Sequence, residues 1–465
     1  MTTTTERVLR RIEADFASHQ ARWLDWLRIP SVSAQPRHAA DCRAAAEFAR
    51  RDLAESGFQA AIHETAGQPL VLGHHPGPGA GADVPHLLFY GHYDVQPPEP
   101  LELWTSPPFE PAIVDGPHGK RVVARGAVDD KGQAAMWLGA LGGWVAETGG
   151  LPVRVTVLIE GEEEIGSPSL DPYLAANRER LRADVAVISD TATWNVDTPA
   201  ITTRLRGLVY MEVRLHAAAR DLHSGLFGGA ARNAVNTLAR ALAALHDEQG
   251  RVTLPGFYDG IREPSAEDRA EWAALGYDEA DFLARIGLRH PAGEAGRDGL
   301  ERRWARPTCD VNGIWGGYAG PGAKTVIAAE AGAKVSFRLV PGQEPERITA
   351  AFRRFMAEHV PDDVRLDFEE FSSGRAIEVP RDSRFVQAAR TVLAEEYGRP
   401  AVLIGSGGSI PVVESLRRLL GLDSLLLGFG LDDDQTHSPN EKFEVVNFHH
   451  GMRAHARLLG HLGGV

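Results

Sequence analysis

Apolar residues recur at helical spacing through Val8, Leu9, Ile12, Phe16, Trp23 and Leu27, and Pro30 closes that segment. A second helix is predicted over residues 41–57, and residues 73–81 read as a Gly/Pro turn region. Beyond it, short β-rich runs each stop abruptly in His or acid. Residues 87–90 run into Gly91-His92-Tyr93-Asp94, residues 153–159 into Glu160-Gly161-Glu162-Glu163-Glu164, and residues 185–188 into Ser189-Asp190. Late in the chain, residues 401–404 lead into Gly405-Ser406-Gly407-Gly408-Ser409, and residues 424–429 precede His437. Apolar runs of this length between helical segments predict buried, mainly parallel strands. Ligands gather at the carboxyl ends of such strands, so five distant runs deliver polar residues to one edge.

Between residues 202 and 377 the texture changes. Residues 208–215 and 334–341 alternate apolar and polar, as half-buried antiparallel strands do, with helical stretches at 231–245 and 345–360. The polar stretch 262–306 reads as a helical excursion. The fold class expected is α/β: a discontinuous, mainly parallel-sheet domain with helices on both faces (1–201 and 378–465), carrying an inserted smaller α+β domain (202–377). No internal repeat or low-complexity segment is found.

The 465 residues exceed one ordinary core, in keeping with two domains. A formal net charge of -14 leaves no broad basic surface for nucleic acid or acidic lipid, so a small substrate is expected. Cys42 and Cys309 are too few and too far apart for a disulfide framework or a thiolate zinc site, so any metal must be held by His and carboxylates. The first residues lack an apolar signal region, and the longest nearly apolar run, 134–146, is too short to span a membrane. A cytoplasmic protein is expected.

Taken singly, the candidate residues have ordinary explanations. His92 and Asp94, at i and i+2, share a strand face, which suits a metal-ligating His steadied by a carboxylate and equally a loop hydrogen bond. Asp129-Asp130-Lys131-Gly132 opens a helix, where acids complement the dipole. Glu162-Glu163-Glu164 could be a solvated acidic loop, but three adjacent carboxylates at a strand end call for a compensating cation. Together with Asp190 and His437, and without cysteine, they match an oxygen-rich site for two divalent ions. Gly77-Pro78-Gly79-Ala80-Gly81 lacks a nucleotide-loop context and reads as a turn. His74-His75 and His449-His450 read as surface pairs, and no Gly-x-Ser-x-Gly elbow occurs.

In this order the motifs resemble the two-metal metallopeptidase family of aminoacylase, acetylornithine deacetylase, succinyl-diaminopimelate desuccinylase and carnosine dipeptidase. The resemblance rests on Gly91-His92-Tyr93-Asp94-Val95, Asp129-Asp130-Lys131-Gly132, Glu163-Glu164-Ile165-Gly166-Ser167, Ser189-Asp190 and His437. Asp221-Leu222-His223-Ser224-Gly225, Gly322-Ala323-Lys324-Thr325-Val326-Ile327, Phe337-Arg338-Leu339-Val340-Pro341 and Gly407-Gly408-Ser409-Ile410-Pro411 look most like the cytosolic dipeptidase branch. Ala124 departs from the Gly often found before Arg-Gly. The resemblance implies that Asp129 bridges two metals, zinc or manganese, with His92 and Asp190 completing one and Glu164 and His437 the other. It implies Glu163 as general base, the register being anchored on Gly166-Ser167, and Asp94 as the group orienting His92. His223 would stabilise the oxyanion. Arg338, with Thr325 and Ser409, would hold the substrate's terminal carboxylate. The inserted domain would act as a lid and carry a homodimer in which His223 reaches the neighbouring site. The expected activity is cleavage of dipeptides or short peptides. The alternatives are a deacylase of N-acyl or N-carbamoyl amino acids and a non-catalytic binding protein of the same fold.

Overall fold

The computed structural model describes residues 3–79 and 83–465, so Ala80 and Gly81 of the expected turn lie outside the described residues. The chain divides into two compact units. Unit 1 comprises Met1–Thr203, Val379–Ile404 and Pro411–Val465, and unit 2 comprises Arg204–Glu378 and Gly405–Ile410.

Among the described residues nine strands make the main sheet, and seven of them position the site: β1 Gln59–His63, β2 Leu70–His75, β3 His86–His92, β4 Arg154–Glu160, β5 Val185–Ile188, β6 Ala200–Leu205 and β7 Ser424–Leu426. They follow the spatial order β1-β2-β4-β3-β5-β7-β6. The pairs β4/β3, β3/β5 and β5/β7 are parallel, whereas β1/β2, β2/β4 and β7/β6 are antiparallel. Parallel pairing thus occupies the centre, where apolar runs bury both faces. There β3, β4 and β5 place His92, the glutamate run and Asp190 along one edge.

Strand β2 corrects the sequence reading of a turn region from residue 73. Gly73 lies inside β2, where an added Cβ would stand 3.1 Å from Leu53. The glycine serves close packing of the strand on the helix Ala39–Glu55. The N-terminal periodicity also resolves into two helices, α1 (Thr4–Ala14) and Phe16–Leu27, broken at Asp15.

The Asp-Asp-Lys-Gly motif leads directly into helix α2, Lys131–Thr148, which is buried on nearly every side. It packs against α1, β3 and the late helix α4 (Val445–Gly463), which in turn packs on α3 (Arg384–Tyr397). Two of the glycines of its apolar run permit that approach, since a Cβ at Gly143 would meet Ile12 at 2.7 Å and one at Gly139 would meet Met452 at 3.1 Å. Among the described residues no helix is long and apolar enough to cross a membrane.

Unit 2 is built on a four-stranded antiparallel sheet in the order Thr308–Gly316, Glu330–Leu339, Gly207–His216, Arg365–Gly374. Its alternation is strict: Val209, Met211, Val213 and Leu215 are buried with Ala333, Val335, Phe337 and Leu339. That face packs on the helices Ala234–Ala243 and Pro345–His359. The polar excursion forms three short helices, Ala266–Ala273, Glu279–Arg285 and Gly299–Trp304. Gly405–Ile410 packs with this unit through Ser409, whose hydroxyl donates to the Arg206 carbonyl at 2.6 Å.

Candidate metal centre

His92 is the last residue of β3 and is fully buried. Its backbone N–H donates to Asp130 Oδ2 at 3.1 Å, and its Nδ1 lies 3.3 Å from Asp94 Oδ1. Asp94 falls just beyond the strand rather than on it, yet still reaches the ring. It does more than orient His92. Its carboxylate accepts the backbone N–H groups of Glu163 (3.2 Å) and Glu164 (3.1 Å) and the Ser33 hydroxyl (2.7 Å). The ring's Nδ1 is also 3.1 Å from the Asp94 backbone carbonyl, so Asp94 meets the histidine through main chain and side chain and the turn after β4 through its carboxylate.

His92 Nε2 is buried with no hydrogen-bond partner among the described residues and faces Asp129 Oδ1 at 3.2 Å and Asp190 Oδ2 at 4.0 Å. The other oxygen of Asp129 lies 2.8 Å from His437 Nε2, which is 3.2 Å from Glu164 Oε2. Two donor groups result, His92/Asp129/Asp190 and Asp129/Glu164/His437, each with its donor atoms within 4.8 Å of one another. Asp129 belongs to both and turns one oxygen toward each. An orphaned imidazole nitrogen among oxygen donors is a fit for a divalent cation.

The electrostatics agree. Burial, together with Asp129, pushes Asp190 up to about 7. Burial and neighbouring acids likewise raise Glu163 and Glu164. His437 rises to about 10 through its bonds to Asp129 and Glu164. Carboxylates outnumber the fixed cations here, so the cluster favours added positive charge.

The three adjacent glutamates differ in their hydrogen bonding. Glu162 accepts the Gln68 N–H (2.9 Å) and the Ser169 N–H (3.0 Å), so both its oxygens are occupied in holding the loop. Glu164 is held by Gln96 Nε2 at 2.8 Å. Among the described residues the Glu163 carboxylate makes no hydrogen bond or ion pair, which leaves it free to exchange a proton.

Sequence reasoning missed Glu441. This fully buried side chain accepts Arg125 Nη1 (2.8 Å) and the N–H groups of Gly126 (3.0 Å), Val128 (2.9 Å) and Asp129 (3.1 Å). It ties the loop bearing Asp129 to the segment bearing His437. His437 itself has φ +62°, an uncommon left-handed conformation for a side-chain residue, in a loop pinned by Asn440 to Thr105 and Leu103. Glu441 carries no motif signature because most of its donors are backbone groups. The Asn440-Glu441 pair that follows Pro439 was its only trace.

Unit 2 holds the remaining candidates in two groups. His223 is exposed, pairs across a short ladder with Val326, and accepts the Gly225 N–H at its Nδ1 (3.0 Å). The neighbouring Ser224 N–H donates to the Thr325 carbonyl at 3.1 Å. Arg338 lies on the strand face opposite Phe337 and Leu339 and donates from Nη1 to Ser409 Oγ at 3.0 Å. Arg206, unremarked in the sequence, joins it by donating to the Gly407 carbonyl at 3.0 Å. Burial lowers Arg338 and Arg206, the latter to about 10 with Arg338 adding to the effect, and neither is in an ion pair among the described residues.

The model of peptidase family M20/M25/M40 matches residues 88–461, a span that contains every donor of the two groups. The chain belongs to that family. It is 30% identical to the Cys-Gly metallodipeptidase of Schizosaccharomyces pombe, with 94% of each chain covered. Among solved structures, human carnosine dipeptidase 1 matches with a TM-score of 0.84 at 26% identity, covering all of both chains. An M20 family metallo-carboxypeptidase from Sulfolobus solfataricus matches with a TM-score of 0.84 at 28% identity, covering 96% of this chain and 99% of that one. Family membership implies divalent metal ions, and the donor groups around Asp129 suit them.

Proposed function

We propose that this chain is a metallo-dipeptidase, with unit 1 as its catalytic domain and unit 2 as its lid and dimerisation domain. The observation that carries the proposal is Asp129, whose two oxygens face His92 and His437 respectively. His92, Asp129 and Asp190 would hold one ion, and Asp129, Glu164 and His437 a second, zinc or manganese. When bound, such ions acidify a water and polarise the scissile carbonyl.

Glu163 takes a proton from the attacking water and passes it to the departing amine. Its raised proton affinity and unengaged carboxylate suit that exchange. Asp94 keeps His92 in one orientation while fixing the backbone that carries Glu163. Arg338, with Ser409, takes the substrate's terminal carboxylate in a charge-assisted pairing, and Thr325, which lies beside His223, adds a hydrogen bond from that second group. His223 donates to the developing oxyanion, an interaction worth about 3 to 4 kcal/mol where such donors are preorganised.

The dimer is supported by the edge strand Thr308–Gly316, whose Val311, Ile314 and Trp315 are 44%, 56% and 41% exposed. An open apolar edge of this kind is a template for pairing. Both cysteines are free and buried, which agrees with a reducing cytoplasm.

The deciding experiment restores zinc or manganese to the chelated protein. It then compares hydrolysis of a dipeptide panel with N-acetyl and N-carbamoyl amino acids. Dipeptides are expected to be the better substrates with at least one metal. A strong preference for the acylated amino acids would replace this reading with a deacylase.

A further inference from the structure

The amino end of the unit 1 sheet, opposite to the edge that carries the metal centre, is hollowed by a cavity of about 930 Å³. Its floor is one sheet face. Register pairs His74 with Thr156 and His86 with Arg154, so these four side chains form a compact patch. His86 Nε2 lies 2.8 Å from the Thr156 hydroxyl and His74 Nδ1 3.3 Å from it, with the two rings 5.7 Å apart. The segment leading into β5 supplies Arg180 and Arg182 to the wall.

Arg154, Arg180 and Arg182 are in no ion pair among the described residues, and Arg154 donates only to the Val84 carbonyl. Two carboxylates face the same space. Asp184 is engaged by the His86 backbone N–H at 2.7 Å, and Glu179 stands at the rim. Three guanidiniums against two carboxylates leave an excess of positive charge in a chain whose net charge is -14. Burial lowers His86 to about 4, with His74 and Arg154 adding to the effect, and burial with Arg180 lowers His63 on the adjoining strand. A sheet face lined in this way is short of negative charge and offers forked donors that match a tetrahedral oxyanion.

We propose that this cavity is a binding site for a phosphate-bearing small molecule, separate from the peptidase centre. The phosphate is clasped by Arg154, Arg180 and Arg182, with the hydrogen-bonded His86–Thr156 pair supplying one further donor from the floor. The volume exceeds that of a phosphate group alone and leaves room for the molecule that bears it.

The test uses the metal-loaded protein and inorganic phosphate as the probe. Isothermal titration is run against sodium chloride at matched ionic strength, because a nonspecific charge effect would appear in both. Saturable phosphate binding is expected, weakened about tenfold or more in the Arg180→Met/Arg182→Met protein and in a separate Arg154→Met protein. Both should unfold at the wild-type temperature, and the double variant should retain wild-type dipeptide turnover. No saturable binding, or binding equal in all three proteins, overturns the site. So does binding that disappears instead in Arg338→Met, which would assign the phosphate to unit 2.

Discussion

Two buried carboxylate sites in unit 1 stand in opposite electrostatic states. Glu396 on α3 is met by Arg453 Nε at 2.7 Å, Arg457 Nε at 3.0 Å and His450 Nδ1 at 3.0 Å, all from α4. Burial alone would raise its pKa, but these three partners bring it down to about 2. At the metal centre Asp129 is held low against burial by His437 and His92, but burial and neighbouring acids shift Asp190, Glu163 and Glu164 upward. Acids there outnumber the fixed cations, an imbalance that a bound cation would relieve. In unit 2, burial lowers Arg206 and Arg338, and among the described residues neither is in an ion pair, though Asp310 offsets part of each shift. Charge left unbalanced by the chain marks where a ligand belongs.

The contrast can be broken or sharpened by substitution. The largest effect is expected at Glu163. Glu163→Gln should lower turnover about 10³-fold while the metal content, read by elemental analysis, stays at the wild-type value. Retained turnover would remove Glu163 from the mechanism. Glu441→Gln should weaken metal binding about 10- to 100-fold in a chelator competition, because the Asp129 loop loses an ionic anchor. Unchanged affinity would make Glu441 a packing element only. Arg338→Met should raise KM for dipeptides about 10- to 100-fold with a smaller change in kcat, the loss of one charge-assisted carboxylate contact.

Mixing His223→Ala with Glu163→Gln protein offers a different readout. Partial recovery of activity, read as hydrolysis rate against mixing ratio, is expected if His223 serves the neighbouring site. No recovery at any ratio would confine it to its own chain.

Glu396→Gln should have the smallest effect on turnover and act on stability instead, by about 3 kcal/mol at neutral pH. The sign follows from a folded pKa below the unfolded one. The stabilisation is complete above about pH 4.3 and is lost as pH falls through about 2. Urea unfolding of the two proteins should therefore differ at pH 7 and converge toward pH 2. A gap independent of pH would refute the ionic account.

Much of this was legible in the sequence because parallel strands announce themselves as apolar runs, and each run here stops at a donor residue. His92, Asp190 and the glutamate turn were found that way. The register of Glu162, Glu163 and Glu164 was anchored on Gly166-Ser167, but what engages Glu162, the N–H groups of Gln68 and Ser169, comes from parts of the chain with no pattern linking them. Glu441 and Arg206 escaped for a related reason, since both work largely through backbone groups. Strand β2 was hidden by Gly73, whose role is contact with Leu53 and cannot be read from local spacing.

The place of β7 has a consequence for synthesis on the ribosome. This strand enters between β5 and β6, yet its residues follow the whole of unit 2 in the chain. Until residues 424–426 emerge, β5 and β6 each present an open edge to neighbouring nascent chains. His437 follows later still. Unit 2 can thus complete its core while the sheet of unit 1 still lacks one of its inner strands. The nascent protein is therefore most exposed to misassembly late in its translation, when most of its mass is already made.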